Sequence, residues 1–332
     1  MKVLYIGGTG IISSACVRRS LALGHDVFLL RRGVSASYEA PGEVTTILGD
    51  VTGDRSALEK SLAGHEFDAV CDFLAFGPEN IQRDIALFAG RCGQLVFVSS
   101  ASAYQRPPPT YRVTEETPLQ NRHWQYSRDK IAAEELLRSQ TEIPWTIIRP
   151  SLTYGEANIP LVLGSWKHPW MLARRIREGR PVIVPGDGES LWGITWNADF
   201  ALGFCGLLGE PQALGEAFHI ATDEALTWNA LFAQAGAALG REPNVVHIAS
   251  DWLAAFRPEW EGTLLGDKAR SVVLDNSKIK KFVPEFQAKT TWAEGVARAV
   301  NWLDTDPSRQ TLDPDYEAVY DAALAKYLQG MP

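Results

Sequence analysis

Short runs of apolar and β-branched residues alternate with helical patterns along the first half of the chain. Six runs predict strands, at 2–6, 26–30, 44–48, 68–72, 94–100 and 145–149. Most are apolar throughout, which is typical of strands covered on both faces of a parallel sheet. Helical patterns lie between them at 11–23, 54–63, 78–91 and 124–139. This alternation predicts βαβ units and a doubly wound parallel sheet of the α/β class.

Composition narrows the class of protein. The 332 residues are 45% hydrophobic and 22% charged, with a formal net charge of −8. That charge gives no global field to attract nucleic acid, so no nucleic-acid partner is expected. The four cysteines and six histidines are scattered, which predicts no metal site.

The chain runs from Met1 and Lys2 directly into the first predicted strand, which leaves no room for a signal peptide. No apolar run approaches the roughly 18 residues of a membrane span. We expect a cytoplasmic protein without a membrane partner.

The segment IGGTGIISSA at 6–15 follows the first strand and opens a helix. In this context Gly7 permits a tight turn, and Gly10 lets the backbone approach a pyrophosphate at the helix N-terminus. Ser13 stands where a third glycine serves close helix–strand packing, so we expect a slightly displaced helix and retained dinucleotide binding. A plain glycine-rich turn is the alternative.

The pattern changes after this first half, and residues 160–200 are rich in Trp, Pro and Gly. We assign 1–155 to a dinucleotide-binding Rossmann domain, which strand and helix segments near 190–225 rejoin. Residues 156–332 form mainly a smaller α+β substrate-binding region.

Cofactor choice depends on the residues that follow the second strand. Arg31 and Arg32 stand where a NAD-selective site places an acid. Two guanidinium groups suit a 2′-phosphate, which predicts NADP(H), with NAD still possible. A solvated arginine pair is the alternative. Asp50, after the third strand, can reach an adenine amino group or cap the following turn.

Tyr126 and Lys130 are four residues apart, which places both side chains on one face of a helix. A nearby ammonium favours phenolate, so we expect Lys130 to lower the pKa of Tyr126 and make it a general acid/base. Ser100 ends the fifth strand, at the sheet edge where ligands bind, and its hydroxyl can hold a substrate oxygen. It can also simply cap a turn.

The order of these features, together with RPSLTYG at 149–155, resembles the extended short-chain dehydrogenase/reductase family, in its NAD(P)-dependent epimerase/dehydratase group. The resemblance covers about 1–205. It implies that Ser100 positions substrate, that Tyr126 is the acid/base, and that Lys130 tunes Tyr126 and binds ribose. The residues implied around the cofactor are Gly7, Thr9, Gly10, Ile11, Ile12, Asp50, Val51, Leu74 and Ala75.

The sequence departs from the family in informative places. Ala101 and Ser102 replace the acid pair of the sugar-nucleotide dehydratases, so dehydration lacks its proton donor, and Ser102 is a candidate substrate contact. Trp192 replaces an arginine that binds the substrate diphosphate, and offers an apolar or stacking surface instead. Four arginines of a preceding helix could substitute or form a solvated face: Arg174, Arg175, Arg177 and Arg180. Tryptophans expected near the substrate, or in the core, are Trp166, Trp170, Trp192 and Trp196.

These features predict an NADP(H)-dependent oxidoreductase acting on a ketone or secondary alcohol of a small polar or partly aromatic molecule. An NAD-dependent epimerase of a sugar or sugar nucleotide, working through a keto intermediate, would use the same residues. A non-catalytic NADP(H) sensor or an RNA-binding member is a further alternative, which the intact Ser–Tyr–Lys set and the net charge disfavour. The helices at 78–91 and 124–139 predict a homodimer contact, unless they pack only on the sheet.

Overall fold

The computed structural model describes residues 1–33 and 38–330, so the predicted 156–332 region is described except for its last two residues. The strands are β1 (Lys2–Ile6), β2 (Asp26–Arg31), β3 (Thr45–Leu48), β4 (Ala69–Asp72), β5 (Leu95–Val98), β6 (Arg112–Val113), β7 (Trp145–Pro150), β8 (Leu152–Tyr154), β9 (Pro181–Pro185), β10 (Leu191–Trp192), β11 (Ile194–Trp196), β12 (Ala217–Ile220), β13 (Leu226–Thr227), β14 (Asn244–Ile248) and β15 (Val273–Leu274). The helices are α1 (Ile11–Ala22), α2 (Arg55–Ser61), α3 (Pro78–Phe88), α4 (Gln125–Ser139), α5 (Trp170–Glu178), α6 (Asn197–Gly206), α7 (Trp228–Leu239), α8 (Ser250–Phe256), α9 (Glu261–Thr263), α10 (Ser277–Phe282), α11 (Trp292–Asp304) and α12 (Pro314–Gln329).

The central sheet has the strand order β3-β2-β1-β4-β5-β7-β12, and every neighbouring pair is parallel. The chain builds outward from β1 to β3 and then returns to the other side of β1 with β4. Such a reversal opens a crevice at the carboxyl ends of the strands, where ligands bind in doubly wound sheets. The predicted α/β fold is confirmed.

Helices cover both faces of this sheet. On one face α1 packs against α6, and the Asn197 side-chain amide donates to the Ile11 carbonyl at 2.8 Å. On the other face α3 packs against α4. Ile81, Ile85 and Phe88 of α3 are buried in the core of that face. These apolar positions therefore serve the sheet, and the homodimer contact stays a prediction.

The rest of the chain forms a second core around short strand pairs. β9 pairs with β14 and β8 with β11, both parallel, and α5, α7 and α11 contribute apolar faces. Trp170, Trp196, Trp228 and Trp292 are buried there. Most of the unusual tryptophan content is thus core material. In the ranges 1–33 and 38–330, no helix has the length and apolar character that crossing a bilayer requires.

The four arginines around α5 are committed to ion pairs within the protein. Acidic residues of α11 and α12 hold them, as shown by the pairs Arg174–Glu317, Arg175–Asp321, Arg177–Asp304 and Arg180–Asp321. This pairing gives no support to the possibility that they replace a diphosphate-binding arginine. They fasten α5 to the C-terminal helices, and they do not form a merely solvated face either.

A buried ion pair fixes α4 to the sheet. The Arg149 guanidinium donates from Nε to Glu134 Oε1 at 2.9 Å and from Nη2 to Oε2 at 2.6 Å. The Ser99 hydroxyl donates to the same carboxylate at 2.6 Å. Both charged side chains are almost completely buried. Because a buried charge needs its partner, this pair sets the position of α4 beside β5 and β7.

We expect Arg149→Met to lower the free energy of unfolding by about 3–5 kcal/mol, because it leaves the buried Glu134 carboxylate with only the longer, partly exposed contact to Arg138 at 3.6 Å. Combining it with Glu134→Gln removes that charge, so the double variant should be less destabilised than the single one. Urea unfolding of both variants checks this. A single variant as stable as the double one would contradict the assignment.

Candidate active site

The turn between β1 and α1 has a backbone that only glycine suits at its first position. Gly7 has φ of +82°, and a Cβ added there would lie 2.6 Å from Cγ of Leu74. The turn therefore brings bare backbone against the loop after β4. The first N–H groups of α1 follow this turn and have no acceptor within the helix, which suits an anionic ligand.

Ser13 closes the glycine turn by hydrogen bonding. Its hydroxyl donates to the Gly7 carbonyl at 2.6 Å and accepts from the Gly10 N–H at 3.0 Å. The side chain is buried, with 2% exposure. The added bulk of Ser13 is therefore only part of its effect, because the hydroxyl joins both glycines of the motif and stiffens the turn.

A cleft of about 730 Å³ opens beside this turn at the carboxyl ends of β1, β2 and β3. The predicted cofactor residues that line it are Gly7, Thr9, Gly10, Arg31, Arg32, Asp50, Val51 and Leu74. Ile11, Ile12, Ala75 and Lys130 are not among its lining residues. An elongated ligand could thus lie along the sheet edge, with the arginines at one end.

Arg31 and Asp50 differ in how far the protein itself satisfies them. Within the described ranges, Nε of Arg31 is buried and has no hydrogen-bond partner. Asp50 Oδ1 accepts from the Thr52 N–H at 2.9 Å and from its hydroxyl at 2.7 Å, and these bonds lower the pKa of Asp50. Asp50 therefore caps the following turn, as the alternative interpretation expected, with its second oxygen outside that cap.

A buried cluster of charged residues contacts two of the segments that line the cleft, and the sequence did not predict it. Arg83 of α3 binds both Asp72 and Asp84, and donates to the Val51 carbonyl at 3.4 Å. Asp72 also accepts from the Leu74 N–H at 2.5 Å. Burial raises the pKa of Asp84 well above its usual range, and repulsion from the Asp72 carboxylate is the second cause. Arg83 thereby links the loops after β3 and β4.

Lys130 bridges two loops at the sheet edge. Its ammonium donates to the Ala75 carbonyl at 2.6 Å and to the Val98 carbonyl at 2.7 Å. The side chain is 2% exposed, and burial lowers its pKa to about 8, although the charges of Asp72 and Glu134 oppose the shift. Two of the three ammonium donors are used, which leaves one for a ligand.

Tyr126 lies beside Ser100, and its pKa moves in the direction opposite to the one expected. Burial raises the pKa of Tyr126, while a hydrogen bond from Ser100 lowers it and the Asp267 charge raises it. The Lys130 ammonium is 5.6 Å from the ring centroid and is directed to the two carbonyls. Desolvation therefore outweighs the hydrogen bond from Ser100, and the unliganded phenol is protonated at neutral pH.

Ser100 caps a turn, as the alternative interpretation expected, and its role in positioning substrate stays a prediction. It caps the short 3₁₀ turn Ala101–Ala103, accepting from the Ser102 N–H at 3.1 Å, and it lies within hydrogen-bond reach of Tyr126. Its hydroxyl is 2.9 Å from that of Ser102, which in turn accepts from Ser127 at 2.8 Å. Ser102 is buried and supports Ser100, so this geometry gives no support for a direct substrate contact by Ser102.

A second cavity, of about 360 Å³, lies near Tyr126. Its walls come from residues 158–169, from the segment 257–268 and from the start of α12. Trp124 lines it, and the Trp124 ring centroid is 5.0 Å from that of Tyr126. The ring centroid of Phe76, which lines the first cleft, is 6.4 Å from that of Tyr126. Tyr126 thus lies close to one aromatic ring of each cavity, although it is not among the residues that line either of them.

The four candidate tryptophans separate into core and cavity. Trp192 is buried and stacks on Trp228 with centroids 6.1 Å apart, beside a void of only about 20 Å³. It belongs to the core, so this arrangement gives no support for the predicted substrate contact by Trp192. Trp170 and Trp196 are also buried, whereas Trp166 is 69% exposed and lines the second cavity.

A doubly wound sheet with a glycine turn after β1, and Ser, Tyr and Lys side chains at its carboxyl edge, defines an NAD(P)-dependent enzyme of the short-chain dehydrogenase/reductase type. Residues 3–221 match the model of the NAD dependent epimerase/dehydratase family. The chain belongs to this family, as the motifs predicted.

Individual relatives agree with this assignment. The chain is similar to the chloroplast stem-loop binding protein of 41 kDa b of Arabidopsis thaliana, with 30% identity over 260 residues, covering 74% of this chain but only 65% of that protein. It is 27% identical to the 2′-dehydrokanamycin reductase of Streptomyces kanamyceticus over 304 residues, covering 87% and 81%. The structure resembles UDP-glucose 4-epimerase from Bifidobacterium longum in complex with NAD⁺ and UDP, with a TM-score of 0.72, 19% identity and coverage of 94% and 100%.

The buried state of Lys130 leads to a stability prediction. Its folded pKa of about 8 lies below the ordinary value of 10.5, so the unfolded chain holds the proton more tightly between these pH values. Stability must then rise with pH across this window, by up to about 3 kcal/mol. We expect the free energy of unfolding of the unmodified protein to rise in this way relative to Lys130→Met.

Chemical unfolding at pH 7.5 and pH 10 measures the difference, and the exposed Lys60→Met variant serves as the matched control. That control should run parallel to the unmodified protein. If the Lys130→Met curve ran parallel too, the ammonium would not be buried as described.

Proposed function

We propose that this protein is an NADP(H)-dependent reductase of a ketone on a small polar or partly aromatic molecule, also able to oxidise the corresponding secondary alcohol. The observation that carries the proposal is that Tyr126, which has Ser100 and Lys130 as neighbours, lies close to one aromatic ring of each cavity: Phe76 of the dinucleotide-sized cleft and Trp124 of the second cavity. A carbonyl in the second cavity would meet the acid/base group at the end of the cleft.

The residues of the first cleft fit a dinucleotide. Gly7 offers a cradle that a Cβ would fill, and the start of α1 offers N–H groups to a pyrophosphate. A bound dinucleotide would supply the hydride. Lys130 has one ammonium donor left for a ribose hydroxyl beside the carbonyls it already holds.

The proton comes from the protein's own side chains. The phenol of Tyr126 is protonated at neutral pH and can donate its proton to a carbonyl oxygen that becomes an alkoxide. The Ser100 hydroxyl, held by Ser102, can donate a second hydrogen bond to the same oxygen. The Lys130 ammonium then stabilises the phenolate that remains.

The choice of NADP(H) rests on charge. Arg31 and Arg32 both line the cleft, and Nε of Arg31 is without a partner in the part of the chain that the structure describes. A buried guanidinium donor without an acceptor is costly, and a 2′-phosphate would supply the acceptor. A free ribose hydroxyl carries no negative charge to pair with the two guanidinium groups.

Two other functions have less support. Epimerisation of a sugar nucleotide uses the same Ser, Tyr and Lys. Its substrate diphosphate would need cations, but Trp192 offers none and is buried in the core, and the α5 arginines are already paired with acidic residues. RNA binding is raised by the name of the 41 kDa chloroplast relative, and a net charge of −8 does not favour it.

We expect Tyr126→Phe to lower turnover by roughly 10²- to 10⁴-fold, because the variant lacks the acid/base group. NADPH affinity should be unchanged, since Tyr126 is not among the residues that line the cleft. NADPH oxidation with a panel of ketones, together with titration calorimetry of NADPH, makes both measurements. The exposed Tyr111→Phe is the matched control. Tyr126→Phe turning over at the unmodified rate would refute the mechanism.

We expect Arg31→Ala to weaken NADPH binding by at least about tenfold and to leave NADH binding within twofold, because only NADPH carries the 2′-phosphate. Calorimetric titration of both nucleotides is the measurement. Arg55→Ala removes an exposed arginine of α2 and should change neither affinity. Equal losses for the two nucleotides would argue against a 2′-phosphate site.

A further inference from the structure

The second cavity contains an arginine that the proposed reaction does not use. Arg257 lines it, and its guanidinium carbon lies 5.6 Å from the ring centroid of Trp260 and 5.5 Å from that of Tyr316. The Tyr316 hydroxyl donates to the Leu163 carbonyl at 3.1 Å, which fixes one of these rings. Cation–π contacts thus hold the guanidinium in place before any ligand arrives.

The hydrogen bonds of Arg257 are incomplete. Its Nε is 3.5 Å from Glu259 Oε2, and the Glu259 side chain is 74% exposed, so this pair is weak and lies at the rim. Nη1 of Arg257 is buried and has no partner in the ranges 1–33 and 38–330. A buried donor of a charged group left unsatisfied is costly, and a ligand acceptor would remove that cost.

The other charged groups of the cavity are already engaged or lie at its surface. Lys268 donates to Asp267 at 2.8 Å. Asp313 accepts from the Ser165 hydroxyl at 2.9 Å and caps α12. Lys167 is exposed. Lys268 is buried but paired, whereas Arg257 is 27% exposed as a side chain and still has a buried donor, Nη1, without a partner in the described ranges.

We propose that Arg257 binds a carboxylate at the end of the substrate remote from the carbonyl that Tyr126 protonates. The proposal rests on the proposed reductase function and names its substrate class: a small keto acid with an apolar or aromatic body. One guanidinium with one unsatisfied donor suits a single negative charge, because Lys268 is already paired with Asp267 and Lys167 lies at the surface. Trp124 and Trp260 would flank the body of the ligand.

The volume and the lining agree with this class. A cavity of about 360 Å³ is at the small end of the range for ligand pockets, roughly 300–1,000 Å³. Its wall combines the aromatic rings with the aliphatic side chains of Ile159, Leu161 and Val162. An apolar body with one charged end matches such a wall. Trp124, which is part of the wall, has its ring centroid 5.0 Å from that of Tyr126.

The test compares matched keto acids and keto amides as probes. 4-Acetylbenzoate, 5-oxohexanoate and 3-benzoylpropanoate are each paired with the neutral amide of the same skeleton. Binding is followed by quenching of intrinsic tryptophan fluorescence and turnover by NADPH oxidation, for the unmodified protein, Arg257→Gln and Arg257→Lys. Arg55→Gln is the control, because Arg55 is likewise paired with a glutamate, at the surface of α2.

At least one acid should bind about tenfold more tightly than its amide, since an ion-paired hydrogen bond is lost with the amide. Arg257→Gln should abolish that preference while NADPH affinity and the melting temperature stay unchanged. Arg257→Lys should restore part of it, and Arg55→Gln should retain all of it. No preference for any acid, or a preference that survives in Arg257→Gln, would overturn the proposal.

Binding in Tyr126→Phe separates this proposal from the proposed function. Acids that still bind selectively to that variant, with no turnover by any form of the protein, would uphold the carboxylate site and reject the reductase. Turnover of ketones without any acid preference would uphold the reductase and reject the carboxylate site.

Discussion

The ammonium of Lys130 is the point on which the catalytic edge of this molecule depends. It joins the Ala75 carbonyl after β4 to the Val98 carbonyl of β5, and it does so from α4, one turn beyond Tyr126. The buried Glu134–Arg149 pair, one turn further along, holds the same helix against β7. Because both contacts are buried and charged, they fix the position of α4 against the sheet, and with it the position of Tyr126.

The cofactor side is stiffened by a similar principle. Ser13 bonds the two glycines of the turn to each other, and Arg83 connects the loops after β3 and β4 through Asp72 and the Val51 carbonyl. These contacts are made within the protein and do not wait for a ligand. The cleft is therefore largely preorganised, which reduces the ordering that a bound dinucleotide must induce.

The fold and the positions of the main site residues could be predicted because they follow from local patterns. Apolar runs at the parallel strands, the glycine turn, and the four-residue spacing of Tyr126 and Lys130 are all read within short windows. The Arg83 cluster and the pairing of the α5 arginines with α11 and α12 join distant segments, so no local pattern reveals them. Spacing showed that Tyr126 and Lys130 share a face, but the sign of the pKa change depends on burial, which only the packed structure supplies.

Burial also acts on the acid/base group near the two cavities. The cleft carries two arginines, and the second cavity combines aromatic rings with one guanidinium. Burial raises the pKa of Tyr126, so the phenol of the unliganded site is neutral near pH 7, as an ordinary tyrosine also is. The same shift makes the phenol a weaker acid and its phenolate a stronger base, so it does not by itself favour reduction or oxidation. The Lys130 ammonium, 5.6 Å from the ring centroid, is the nearby charge that favours ionisation of the phenol, and the two carbonyls it binds hold it there before any ligand arrives.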